Sequence, residues 1–163
     1  MGTSFKPIRI GIVGDIGSGK SFVAKQFGFP VFNADDEVTK LYKKNRKVFY
    51  KLKKILPKNF NSFPINKNEV SRAILANERN LKKIIKIVHL EIRKKMNLFI
   101  KKNRSKRIII LDIPLLLENK LNKKNDILVF IQSKKIDIIK RLKKRKNFNF
   151  KLFKKFKKIQ LPL

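Results

Sequence analysis

The chain has 163 residues, 42% of them hydrophobic, which is the length and apolar content of one α/β domain with a buried core. It has no Cys, so disulfides and thiolate metal sites are excluded. It carries 43 Lys+Arg against 11 Asp+Glu, a formal net charge of +32, and no apolar run long enough to span a bilayer.

Residues 8–13 (Ile-Arg-Ile-Gly-Ile-Val) form a short apolar run that predicts a buried strand. Gly14, Asp15, Ile16, Gly17, Ser18, Gly19, Lys20 and Ser21 then spell Gly, four free positions, Gly-Lys-Ser, the phosphate-loop pattern. Phe22, Val23, Gln26 and Phe27 continue at helical spacing. Strand, glycine loop and helix together make the motif specific. The glycines let successive backbone N–H groups converge on one phosphate. Lys20 is placed to reach the β- and γ-phosphates of ATP, and the Ser21 hydroxyl to bind Mg²⁺.

Residues 29–32 (Phe-Pro-Val-Phe) predict a second strand, followed by Asn33-Ala34-Asp35-Asp36 and a helix opening with Val38, Leu41 and Tyr42. Asp35 and Asp36 therefore stand at a strand's carboxyl end, the edge where open α/β sheets hold ligands. Asp36 is read as the helix cap. Asp35 suits either capping or ligand chemistry.

Residues 43–103 read as a helical insertion between the second and third strands. Val48, Phe49, Leu52, Ile55 and Leu56 make one stripe, and a short helix over 68–76 carries Arg72. Leu81, Ile85, Val88, Ile92, Met96 and Phe99 mark one long helix over 78–103. His89, the sole histidine, lies beside that stripe, where a structural role is the usual one.

Residues 107–113 predict a further buried strand ending at Asp112, a position where phosphate-loop proteins often hold Mg²⁺. Pro114, Leu115 and Glu118 follow it. Residues 126–131 predict another, and the uniform apolar runs suit a parallel sheet covered on both faces. From Lys134 onward the chain is helical and basic. Arg141 and Arg145, four apart, are expected on one helix face, where two guanidinium groups can clamp phosphates.

The positive charge invites a nucleic-acid or membrane reading. However, 34 of the 43 basic residues are Lys, spread along the chain with abundant Asn, Ile and Phe. Those residue types have A/T-only codons, so the charge reads as compositional bias rather than a dedicated nucleic-acid surface. A GTPase is disfavoured because Asn119-Lys120-Leu121-Asn122 lacks the Asp that guanine recognition requires.

Taken in order, these segments resemble the dephospho-CoA kinase family. The match runs through Ile10–Ser21, Val31–Val38, Arg72, Val88–Ile92, Ile113–Asn119, the Arg141/Arg145 pair and Gln160. The resemblance implies a nucleoside-monophosphate-kinase-like fold of three parts. These are a phosphate-loop core (1–42 and 104–133), a helical substrate domain (43–103) and a basic helical lid (134–163). It implies transfer of the ATP γ-phosphate to the ribose 3′-hydroxyl of dephospho-CoA, with Mg²⁺, in a cytoplasmic monomer or small homo-oligomer. In the same way, Asp35 is implied to act on the hydroxyl, and Lys20, Arg141 and Arg145 to neutralise the transferring phosphoryl. Arg72, His89, Pro114, Leu115 and Glu118 are implied on the substrate side, and Ser21 and Asp112 near the metal. The sequence departs from the pattern at Asn33, where the family often has Asp, and at Leu90, which replaces a Pro. The family also continues past the position of Leu163 with a further strand and helices, so a sheet edge short of one strand is expected. A different nucleotide kinase and an inactive nucleotide-binding protein are the alternatives.

Overall fold

Consecutive apolar residues in Ile8–Gly14 (β1) suit a strand with protein on both sides, and β1 lies inside a four-stranded parallel sheet. The computed structural model describes residues 6–114, 116–118, 120–145 and 148–160. The other strands are Val31–Asn33 (β2), Ile108–Asp112 (β3) and Ile127–Ile131 (β4), in the spatial order β2-β3-β1-β4. The crossover after β1 leads to one side of it, whereas the one after β3 lands on its other side. That reversal opens a crevice at the carboxyl ends of the strands. The register sets Asp112 opposite Ile12 on one side and Asn33 on the other, so the ends of β1, β2 and β3 meet there.

Lys20–Gln26 (α1) covers one face of the sheet, with Ala24 packed on Ile10, Ile12 and Ile110. The opposite face carries the larger core. It is built from Ala34–Lys44 (α2), Arg46–Ile55 (α3), Lys67–Ala76 (α4) and Glu78–Lys102 (α5), whose apolar stripes converge with Phe32, Leu111 and Leu116. Phe60 and Leu52 are fully buried in it. Lys135–Lys143 (α6) and Phe150–Ile159 (α7) complete the described helices.

The abundant Asn has a structural use. Asn33, Asn45, Asn66, Asn77 and Asn149 each accept a backbone N–H at the start of α2, α3, α4, α5 and α7. Each such cap satisfies a donor the helix itself leaves unpaired, a contribution of about 1 kcal/mol. Asp36 is therefore not the cap of α2. Its backbone N–H is the donor, Asn33 Oδ1 the acceptor at 2.9 Å, because the helix begins earlier than its apolar stripe suggests.

Three other expectations shift. β2 starts at Val31 rather than Phe29, since Pro30 has no N–H to pair and contributes only its carbonyl, to Ile110 N at 2.9 Å. β4 is not covered on both faces: Ile127, Leu128 and Phe130 are 50%, 42% and 49% exposed. It forms the sheet edge among the described residues, a position that an apolar run alone does not reveal. Asp126 lies just outside β4 and forms a buried ion pair with Arg9 at 2.8 Å, tying the start of β1 to the approach to β4.

Candidate functional site

Gly14, Gly17 and Gly19 have φ of 144°, 86° and 100°, the left-handed region that a side chain disfavours. A Cβ on Gly14 would also come within 2.5 Å of the Ile131 carbonyl oxygen, so the close passage of the loop past β4 needs glycine. Lys20 Nζ reaches back over this loop and donates to the carbonyls of Gly14 at 2.9 Å and Asp15 at 2.7 Å. Arg141 Nη1 donates to the Ser18 carbonyl at 3.1 Å and the Gly17 carbonyl at 3.3 Å. Ser133 Oγ donates to the same Ser18 carbonyl at 2.8 Å. One end of the loop is thus held by its own lysine and the other by groups after β4.

At the adjoining strand ends, Asp112 is 2% exposed and accepts from Asn33 Nδ2 at 2.6 Å. Ser21 Oγ lies 3.5 Å from the same Asn33 nitrogen. Burial pushes the Asp112 carboxyl up from its ordinary value, opposed by a hydrogen bond from Ser21, by the Lys20 charge and by Asn33. Burial pushes Lys20 down, opposed by Asp112, Asp35 and Asp15. Asp35 is pushed up, first by burial and then by Asp112, with Arg145, Lys20 and Lys67 pulling the other way. Asp35 does present open surface. That surface faces a cavity, where packed atoms still desolvate the carboxylate.

The cavity has a volume of about 410 Å³. Lys20, Asp35 and Arg145 supply charge on its wall. Val70, Ile74, Ile84, Val88 and Ile92 from the helical segment make an apolar side, and Leu152, Phe153 and Phe156 of α7 another. His89 and Pro114 line it as well. α7 is fastened along its C-terminal half. Lys155 Nζ donates to the Ile74 carbonyl at 3.1 Å, Gln160 Nε2 to the Gly14 carbonyl at 3.0 Å, and Lys157 pairs with Asp15.

The structure thus gathers most of the residues singled out from sequence, but not all of them. Glu118 lies with Lys20 and Gln160 in a narrow crevice beside the main cavity. Arg72 is exposed on α4 and does not line the cavity. Leu115 lies outside the described residues. Arg141 and Arg145 do not share a helix face, because α6 ends at Lys143 and Arg145 sits in the following turn. Arg141 faces the loop and Arg145 the cavity, so the two guanidinium groups serve different places. Sequence reasoning missed Ser133, Lys157 and the aromatic wall of α7. Leu152, Phe153, Phe156 and Ile159 recur at helical spacing, which predicts the stripe of α7 but not the surface it meets.

Ser21 and Asp112 offer hydroxyl and carboxylate oxygens, the ligand chemistry Mg²⁺ prefers. No three His, Cys, Asp or Glu side chains gather into a metal cage among the described residues. That arrangement fits an ion carried largely by substrate phosphates and water, as Mg²⁺ commonly is.

Comparison with known proteins agrees with this geometry. A family model described as dephospho-CoA kinase matches residues 8–163. The chain is 31% identical over 159 residues to a dephospho-CoA kinase of a Wolbachia from Brugia malayi, covering 94% of this chain and 81% of the relative. It is 33% identical over 141 residues to a dephospho-CoA kinase of Wolbachia pipientis wMel, covering 83% and 72%. A crystal structure of a Thermus thermophilus protein superposes with a TM-score of 0.75 at 24% identity, over 96% of this chain and 81% of that one, which supports the fold. The parallel sheet, the phosphate loop at its switch point and the match over nearly the whole chain lead to one conclusion: this chain belongs to the dephospho-CoA kinase family of ATP-dependent kinases.

Proposed function

We propose that the chain transfers the γ-phosphoryl group of ATP to the ribose 3′-hydroxyl of dephospho-CoA, releasing ADP and CoA. The observation that carries this reading is that Lys20 of the phosphate loop and Asp35 of α2 line one cavity with the apolar faces of α4, α5 and α7. A nucleotide phosphate chain at the loop and an acceptor with a long, weakly polar arm in the cavity would meet between those two side chains.

In this reading the backbone N–H groups of the loop and Lys20 hold the β- and γ-phosphates. Asp35 accepts a hydrogen bond from the acceptor hydroxyl, orients it for in-line attack on the γ-phosphorus and takes its proton as the bond to the ADP oxygen breaks. Arg145, on the cavity wall, and Arg141, on the loop, offset the charge on the transferring group. Such transfer depends on positioning and charge stabilisation rather than covalent chemistry by the protein. Mg²⁺, when bound through Ser21 and Asp112, would neutralise phosphate charge. His89, Pro114 and Glu118 belong to the acceptor side. The molecule divides into the phosphate-loop core (1–42 and 104–133), the helical acceptor domain (43–103) and the basic lid (134–163), acting in the cytoplasm.

The test is ADP release from Mg·ATP with dephospho-CoA or AMP as acceptor. Release with dephospho-CoA alone, giving the 3′-phosphorylated product, is expected. Release with AMP alone would establish a different nucleotide kinase, and release with neither would overturn the proposed transfer by this chain.

A further inference from the structure

Asn33 joins three parts of the site. Its Oδ1 accepts from Asp36 N at 2.9 Å at the start of α2. Its Nδ2 donates to Asp112 Oδ2 at 2.6 Å and stands 3.5 Å from Ser21 Oγ. The two contacts fix each other. A side-chain amide has its acceptor on one side and its donors on the other. The cap needs an acceptor, so the NH₂ group must face Asp112. The β2–β3 register, which sets Asn33 beside Asp112, leaves little freedom for either side chain. Asp112 is almost fully buried, and a buried carboxylate requires donors to stay in one orientation. A carboxylate at position 33 would cap α2 as well as an amide does. It would, however, confront Asp112 across a 2.6 Å contact with two negative oxygens.

We infer that Asn33 is a positioning residue for the reaction, holding the Asp112 carboxylate toward Ser21 and the nucleotide site, and that an amide rather than a carboxylate is required there in this chain. The inference rests on the reading of Asp112 as a group that faces the nucleotide's metal. Groups that merely orient a metal-facing side chain typically change metal affinity or activity by about 10–100-fold when removed.

The experiment compares Asn33→Ala, Asn33→Asp, Asp112→Asn and the exchanged pair Asn33→Asp/Asp112→Asn. It measures ADP affinity by calorimetry with and without Mg²⁺, the thermal midpoint, and turnover. Asp112→Asn should lose the gain in ADP affinity that Mg²⁺ provides. Asn33→Ala should lose about tenfold of it, with ADP affinity in the absence of Mg²⁺ unchanged. Asn33→Asp should lower the thermal midpoint although the cap is kept. The exchanged pair should restore that midpoint, since donor and acceptor are swapped, without restoring turnover. If Asn33→Ala keeps the full Mg²⁺ gain while Asp112→Asn loses it, Asn33 is only a helix cap and the inference fails alone. If Asp112→Asn keeps the gain, the reading of Asp112 fails and the inference with it.

Discussion

Lys20 and Asp35 show how the site's needs and the fold's stability diverge at single residues. Lys20 is a partly buried ammonium whose burial cost is only partly offset by three carboxylates. Lys20→Ala removes that cation from the phosphates, and kcat should fall by about 100-fold or more, the scale of losing one strong donor to a transition-state oxyanion. A near-normal kcat in this variant would contradict the phosphate-loop role. Asp35 is held in a site that disfavours its charge. Its folded pKa lies above the ordinary 3.8, so just above pH 3.8 the folded protein retains a proton that the unfolded chain has released. Stability therefore falls as pH rises through that window. In the proposed reaction Asp35 must be ionised to take the hydroxyl proton, so catalysis has the opposite slope, and the acid limb of kcat/KM should lie above pH 3.8. Asp35→Asn should leave ATP affinity unchanged and lower kcat, with a thermal midpoint at or above wild type near neutral pH. Collapse of ATP binding in that variant would show that Asp35 serves the nucleotide rather than the acceptor. The glycines, Lys20 and Asp35 were all legible in the sequence, since each is tied to a local pattern. Asn33 was visible only as a departure from a pattern. Its bond to Asp112 joins residues that are 79 apart.

Among the elements, α7 carries the most information that the sequence withheld. Its apolar stripe predicts a helix but not what the stripe faces. In the folded chain the stripe becomes a wall of the cavity, while the C-terminal half of the helix is fastened to α4 and to the phosphate loop. The Lys157–Asp15 pair is nearly half exposed on both partners, so by itself it contributes little. The aromatic wall should matter more. Phe153→Ala or Phe156→Ala removes apolar surface on the acceptor side, worth about 1–3 kcal/mol per buried aromatic face. KM for the acceptor should rise about tenfold or more for that loss, with KM for ATP changed little. Equal rises in both constants would mean that α7 shapes the nucleotide site instead. The turn after α6 makes the same point on a smaller scale. Spacing of four puts Arg141 and Arg145 on one face only while the helix lasts, and it ends between them. Ending there lets one guanidinium brace the loop and the other enter the cavity.

At the scale of the whole molecule, the charge of +32 sets a positive field around the nucleotide site. Screening shortens the reach of that field to about 8 Å at physiological ionic strength and about 3 Å at 1 M. KM for ATP should therefore rise steadily with added salt while kcat holds nearly constant, as steady-state rates across a salt series would show. A flat KM would mean that local contacts in the loop, not the field, set nucleotide affinity. The sheet edge at β4 belongs to this scale too. Its exposed Ile127, Leu128 and Phe130 form apolar surface beside a strand whose outer edge is unpaired among the described residues.

By itself the sequence determined the phosphate loop, the order of strands and helices, and the helical segment between the second and third strands. Those features follow from local rules: glycine at positive φ, apolar periodicity, and fixed spacing of Lys and Ser behind a strand. The tertiary structure alone decided the partners. It placed Asn33 against Asp112, sent Arg141 and Arg145 to different surfaces, exposed β4, and closed α7 over a cavity whose other walls lie far away in the chain. Each of these depends on which segments a parallel sheet brings side by side. Periodicity records how a segment meets its surroundings, and says nothing of which segment those surroundings are.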